Sequence, residues 1–291
     1  MKANTTFGNA WMHHCLMAML RHVDVRLVYA FAAIFVVPVC LVTNASRRTA
    51  YSYFRKRMHY GVLRAAWSTY VNHCMFSQVV IDRFAMFAGK NFHIDIEGYD
   101  NFARLDTADR GFMMLSSHIG CYEVAGFSLV SRNKRLNAIV FGGEKATVMQ
   151  GRRSRLDGNN IRMIPVKPDM SHLFLINEAL VGNEIVSMPA DRIVGSAKTV
   201  EAELLGAVAQ LPQGPFAVTA MHGLDAIAVN VMKTAARGYT IYVSPLVYDH
   251  AAPRREQMRQ LAAGYAEELQ RRVRQYPTQW YNFFDFWKKE V

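Results

Sequence analysis

The sequence predicts an α/β protein: a mixed, largely parallel sheet flanked by helices, with a hydrophobic helical segment ahead of it. Three observations lead there. From about Asn91 onward, short apolar runs alternate with helical stretches, the pattern of βαβ units. Before that point lie an uncharged apolar run and a long helical stretch with no strand alternation. The chain has 291 residues, 51% of them hydrophobic, enough core for one large α/β domain with an appendage. The expected division is an N-terminal helical, membrane-associating region over 1–88 and an α/β domain over 89–291.

The apolar run is Leu27–Val42. As a helix it would extend about 24 Å, against a hydrocarbon core of about 30 Å. Pro38 interrupts it. Arg21 and Arg26 precede it and Arg47 and Arg48 follow, so the flanking charge gives no orientation. It lies too far from the start, behind too much charge, for a secretory signal. The expectation is a membrane-dipping helix or hairpin, with a buried core helix or a single span as alternatives. Tyr51–Ala88 is helical in character. Its Arg55, Lys56, Arg57 and Arg64 form a cationic face, suited to lipid or to plain solvation.

The expected strands are Phe92–Glu97, Phe112–Ser116, Asn137–Phe141, Ile161–Val166, Glu184–Met188, Ala226–Met232 and Tyr239–Leu246. The expected helices are Tyr122–Ser131, Glu144–Arg155, Ser171–Val181 and Phe216–His222. Pro253–Gln275 reads as an amphipathic helix, with Met258, Leu261, Tyr265, Leu269 and Val273 at helical spacing. The tail from Tyr276 to Trp287 is strongly aromatic, suiting an interfacial belt and a packed terminus equally.

The net charge is +11, with sixteen methionines and seventeen phenylalanines beside it. No nucleic-acid motif or aromatic platform is present, so this balance favours an anionic lipid surface or an acidic protein over nucleic acid. Cys15, Cys40, Cys74 and Cys121 are far apart and lack metal-ligand spacing. They suit reduced thiols in a cytoplasmic compartment, and no metal site is expected.

The segment Met113–Gly126 carries the clearest chemical pattern. An apolar run ends in two serines, then His118, Gly120 and Glu123. On one straight helix, positions five apart sit about 140° from each other. The pair meets only if His118 precedes a helix and Glu123 lies in its first turn, with Gly120 permitting the bend. A carboxylate on one imidazole nitrogen fixes the tautomer and leaves the other as a base. The alternative is a structural histidine at a helix start. Asp191, just past Glu184–Met188, would occupy an equivalent strand end, where function gathers in parallel sheets.

Four separated features add to this: His118-x4-Glu123, the basic segment Gly142–Arg155, the segment Met188–Ser196 containing Asp191-Arg192, and Leu204–Ala217 containing Leu204-Leu-Gly and Pro212-Gln-Gly-Pro215. In this order and spacing the chain resembles the lysophospholipid acyltransferase superfamily, in particular its branch of bacterial lipid A late acyltransferases. The resemblance covers nearly the whole chain, including the hydrophobic N-terminal helix and the aromatic tail after Pro277. Ser117 stands where glycerolipid acyltransferases carry an asparagine before the histidine, which weighs against a glycerophosphate acceptor.

The resemblance implies a membrane-associated enzyme on the cytoplasmic face of the inner membrane. It would move a fatty acyl chain from a thioester of acyl carrier protein or coenzyme A to a hydroxyl or amine of an anionic lipid acceptor, in the first place a lipid A precursor. Other acceptors in view are a lysophospholipid, an aminolipid or a secondary metabolite, and a rival of another class is a non-catalytic lipid-binding protein on the same fold. No cofactor is expected beyond the thioester co-substrate. His118 would be the base and Glu123 its orienting acid. Arg152, Arg153 and Arg155 are candidates for the oxyanion, and each also suits a solvated helix face. Asp191 and Arg192 would shape the site and bind phosphate, or else form a local ion pair in a turn. Gly120, Pro212, Gly214 and Pro215 would shape the pocket. Cys121 is discounted as a nucleophile, because a thioester donor needs no acyl-enzyme and small buried cysteines are common.

Overall fold

The computed structural model describes residues 10–141, 160–167, 169–193, 198–281, 283 and 286–287. Four helical elements come first: α1 (Ala10–His22), α2 (Val25–Thr43), α3 (Ser46–Lys56) and α4 (Val62–Phe87). Asp24 caps α2, its side chain accepting from the backbone N–H of Arg26. Pro38 does not end α2. Proline cannot donate to the carbonyl four residues back, and the turn over Ala32–Val36 is π-wound instead. The Ala33 carbonyl accepts from the Tyr70 hydroxyl of α4, 3.0 Å away. A side chain bonded into the ladder is a known cause of such a local change.

The α/β part runs β1 (His93–Glu97), α5 (Tyr99–Thr107), β2 (Phe112–Gly120), α6 (Tyr122–Ser128), β3 (Leu136–Phe141), β4 (Ile161–Val166), α7 (Ser171–Val181) and β5 (Ile185–Pro189). A hairpin follows, β6 (Thr199–Leu204) and β7 (Ala207–Pro212), then α8 (Gln213–His222), β8 (Ala226–Ala235), β9 (Gly238–Leu246) and α9 (Arg254–Gln275). Seven strands form one sheet in the order β1-β9-β8-β2-β5-β3-β4. All neighbours are parallel except β8 and β9. The expected α/β class with a largely parallel, helix-flanked sheet is the one observed.

The central strand β2 is buried on both sides, as parallel strands generally are. Met113, Leu115 and Ile119 join one cluster with residues of α8, α9 and the hairpin. Phe112 and Met114 join another with Phe102, Leu105 and Val124 of α5 and α6. Tyr53, Phe54 and Ala65 of α3 and α4 belong to the first of these clusters, so those two helices share the core of the sheet.

Several elements differ from the sequence expectation: α5 was not expected, and α6 ends at Ser128 and not at Ser131. Leu204–Pro212, read there only as a motif, closes an antiparallel hairpin, with Leu205 and Gly206 at positive φ in its turn. And β2 does not stop at Ser116: it continues to Gly120, with its register against β8 shifting between those two residues. The expected helix Glu144–Arg155 lies outside the described residues.

Candidate active site

The site grows from the ends of β2 and β5. These strands pair in parallel register from Phe112 with Ile185 to Ser116 with Pro189. The constant offset is 73 residues, and carrying it two positions further matches His118 with Asp191. The two do meet. The imidazole Nδ1 lies 2.7 Å from Asp191 Oδ1, and the backbone N–H of His118 donates to Oδ2, also at 2.7 Å. Two hydrogen bonds to the two oxygens of one carboxylate fix both the ring and its backbone. The Asp191 side chain is 2% exposed and that of His118 20%, so an anchored carboxylate lies behind a ring that still reaches solvent.

Burial would by itself push the Asp191 carboxyl upward. The His118 imidazole, its hydrogen bonds and the Arg192 charge outweigh burial, and the net direction is downward. Asp191 is therefore an ionised acceptor, and Nδ1 carries the proton. The lone pair of the neutral ring sits on Nε2, which has no hydrogen-bond partner among the described residues.

The acid on the imidazole is thus Asp191 and not Glu123, a correction of the expected pair. Glu123 does lie in the first turn of α6, but its carboxylate turns toward α4, where Arg83 Nη1 meets Oε1 at 3.1 Å. The adjacent Tyr122 turns back instead, its ring edge-on to His118 with centroids 5.3 Å apart. Gly120 makes the bend as expected. Its φ is +57°, and a Cβ there would lie 1.8 Å from the Val231 carbonyl oxygen, which accepts from the Cys121 N–H at 2.9 Å. Burial pushes the Cys121 thiol up to about 12, which keeps it protonated and unreactive.

The rest of the wall comes from far along the chain. The Tyr265 hydroxyl of α9 donates to the Ser116 carbonyl at 2.9 Å, and the Ala190 N–H reaches the same oxygen. Ser117 Oγ donates to Asn230 Oδ1 of β8 at 2.6 Å. The aromatic tail is packed against this edge. Trp280 forms a β-bridge with Ile119, and Asn72 of α4 donates to the carbonyls of Thr278 and Trp280. Arg192 Nη2 donates to the Tyr281 carbonyl at 3.0 Å. Trp280, Tyr281 and Phe286 are buried, so the described residues of this tail pack as a core element and not as an exposed belt.

Of the expected site residues, His118, Asp191, Arg192, Glu123 and Gly120 gather at one edge of the sheet. Pro212 ends β7 and caps α8, and Gly214 and Pro215 lie in the first turn of that helix. Among the described residues, no hydrogen bond or ring contact ties them to His118. Arg152, Arg153 and Arg155 lie outside the described residues. Arg83 and Tyr122 were not singled out from sequence. Arg83 did leave a signal: between Asp24 and Asp82 the chain has no acidic residue, and the Asp82-Arg83 pair breaks that run. No group of three or more potential metal ligands occurs among the described residues.

A family model for bacterial lipid A biosynthesis acyltransferases matches residues 83–289. The chain belongs to that family. It is an acyltransferase acting on a lipid acceptor, and the match begins at Arg83 and takes in His118, Tyr122, Glu123, Asp191 and Arg192. No curated protein matches the chain. Among solved structures, this acyltransferase is similar to the 1-acyl-sn-glycerophosphate (LPA) acyltransferase PlsC from Thermotoga maritima. The identity is 12% and the TM-score 0.40, over 93% of this chain and 98% of that one. A score at that level assigns no residue.

Proposed function

We propose that this acyltransferase moves a fatty acyl chain from an acyl carrier protein or coenzyme A thioester to a hydroxyl or amine of a lipid A precursor, at the cytoplasmic face of the inner membrane. The observation that carries this reading is the 2.7 Å contact between His118 and the buried Asp191. His118 Nε2 takes the proton of the acceptor hydroxyl as its oxygen attacks the thioester carbon. The tetrahedral oxyanion then collapses, the C–S bond breaks, and the imidazolium returns its proton to the departing thiolate. Asp191 holds the tautomer and stabilises the imidazolium as it forms. Arg152, Arg153 and Arg155 remain the proposed partners of the oxyanion. Gly120, Pro212, Gly214 and Pro215 remain the proposed shapers of the pocket.

Donor and acceptor are tested together. Purified protein is offered acyl carrier protein and coenzyme A thioesters, each with a lipid A precursor and with a lysophospholipid, and products are read by mass spectrometry. Acylated lipid A precursor is expected. Transfer to the lysophospholipid alone would redirect the acceptor, and no transfer in any arm would favour a non-catalytic lipid binder.

Arg192 is proposed to hold a phosphate of the acceptor. Its Nη2 donates to the Tyr281 carbonyl, its charge acts on Asp191 behind the imidazole, and the planar guanidinium matches the geometry of phosphate oxygens. Arg192→Lys keeps the charge and loses the fork. It is expected to raise the acceptor KM more than it lowers kcat, the signature of lost uniform binding. A lowered kcat at unchanged KM would move Arg192 from acceptor binding to the transition state.

Membrane association is proposed through α2. It has 19 residues and is, among the described residues, the helix long and apolar enough to cross a bilayer by length and composition. Val25, Tyr29, Ala32 and Val37 are buried, and Leu27, Phe31, Ile34, Phe35, Val39 and Val42 are exposed. One face is thus packed and the other bare, which suits a helix lying in the interface better than one surrounded by lipid. Replacing Phe31, Ile34 and Phe35 together by glutamine is expected to shift the protein from sedimenting with anionic vesicles to the supernatant, at unchanged thermal midpoint. Undiminished sedimentation would place the contact elsewhere.

A further inference from the structure

The ion pair between Arg83 and Glu123 lies beside the site but outside the chemistry given above. Its two side chains are 20% and 10% exposed. Arg83 belongs to α4, a 26-residue helix, and Glu123 to the first turn of α6, so the pair joins two elements of distant sequence. The turn that carries Arg83 is itself fixed. The neighbouring Asp82 carboxylate is fully buried and receives Lys233 of β8, Tyr239 of β9 and Tyr29 of α2. The guanidinium also lies over the Phe84 ring, 5.5 Å from its centroid. A rigid anchor therefore holds one end of the ion pair. The other end is a short turn whose preceding residue, Tyr122, touches the imidazole.

We propose that Arg83 is a positioning residue for acyl transfer. By clamping Glu123 it holds the first turn of α6, and with it the Tyr122 ring, against His118, and it leaves Asp191 as the carboxylate of the imidazole. The inference rests on the proposed role of His118 as base. Without Arg83, the mostly buried Glu123 carboxylate loses this cation, and two responses are open to it. It turns out to water and pulls the α6 turn with it, or it swings toward the imidazole five residues back and competes with Asp191. Either way the ring leaves its productive orientation, and the loss falls on kcat.

The test measures kcat, KM and thermal midpoint of the full-length protein for H118A, R83M, R83K, E123Q and R83M/E123Q. R83M is expected to lower kcat about 10–100-fold, the scale of a positioning defect near the chemistry. KM is expected to stay within about twofold, since no substrate contact is removed. R83K keeps the charge without the planar fork, and its kcat should stay within about fivefold of the parent. E123Q should resemble R83M, and the double variant should be no slower than the slower single one, because both changes sever one contact. Parent-like kcat in R83M, or losses that multiply in the double variant, would overturn the proposal. If R83M does not fold, R83K combined with E123Q decides: no added loss supports the clamp, and a multiplied loss removes it. An active H118A would instead overturn the site reading itself, whereas an inactive H118A beside an unaffected R83M would overturn only the role of Arg83.

Discussion

Replacing Asp191 by asparagine is expected to lower kcat about 10²–10⁴-fold, the usual contribution of a correctly protonated general base. Shape and volume are nearly conserved, so the cause is electronic. The carboxylate accepts from the ring at Nδ1 and from the His118 backbone N–H. An asparagine offers one oxygen and one amino group for those two contacts. If the oxygen stays with the backbone N–H, the amino group faces Nδ1 and selects the tautomer with the proton on Nε2. That nitrogen then cannot accept the proton of the acceptor. The imidazolium also loses the negative charge that stabilises it as it forms. Acceptor KM should change little, because Asp191 is buried behind the ring. Steady-state kinetics check this, and a kcat within about tenfold of the parent would remove Asp191 from the base-orienting role, since a tautomer error costs more than that.

Asp82→Ala is expected to carry the largest effect on stability, about 3–5 kcal/mol, the usual result of leaving a buried cation unpaired. Asp82 and Lys233 are both buried and bonded to each other. Burial pushes the Asp82 carboxyl upward and the Lys233 ammonium downward, so each depends on its partner to remain charged. Around them Lys233 donates to the Ala236 carbonyl at 3.0 Å, and the hydroxyls of Tyr29 and Tyr239 close on Asp82. The network ties α2 and α4 to the end of β8. Equilibrium denaturation in detergent measures the loss. The double variant D82A/K233M removes both charges and should be less destabilised than D82A alone. If D82A is as stable as the parent, the network holds nothing together.

Much of the sheet was legible in the sequence because its strands are short apolar runs bounded by turns. Ile161–Val166 and Ser171–Val181 have the bounds the sequence suggested, and the other strands shift by a few residues. The hairpin Thr199–Pro212 was not legible. Its outward positions, such as Glu201 and Glu203, give an alternation that the glycine-proline motif beside it obscured. Helix α5 was missed because Tyr99–Thr107 is short and only half apolar.

The site was legible as a set of residue types and misread as a pairing. His118 and Glu123 are neighbours in sequence, so the short spacing suggested the dyad. The partner that the fold supplies is 73 residues away and follows from the β2–β5 register. Strand pairing is a property of the sheet, and no linear motif reports it. The same holds for the packed tail and for Arg83, whose importance depends on which turn of α4 faces α6.

The most direct test of the account is transfer of an isotope-labelled acyl group from its thioester to a lipid A precursor. The parent protein and H118A would be reconstituted in the same vesicles, with product read by mass spectrometry. The account predicts labelled lipid from the parent. From folded H118A it predicts nothing above the protein-free rate. Labelled lipid formed by H118A at a rate comparable to the parent's would contradict it.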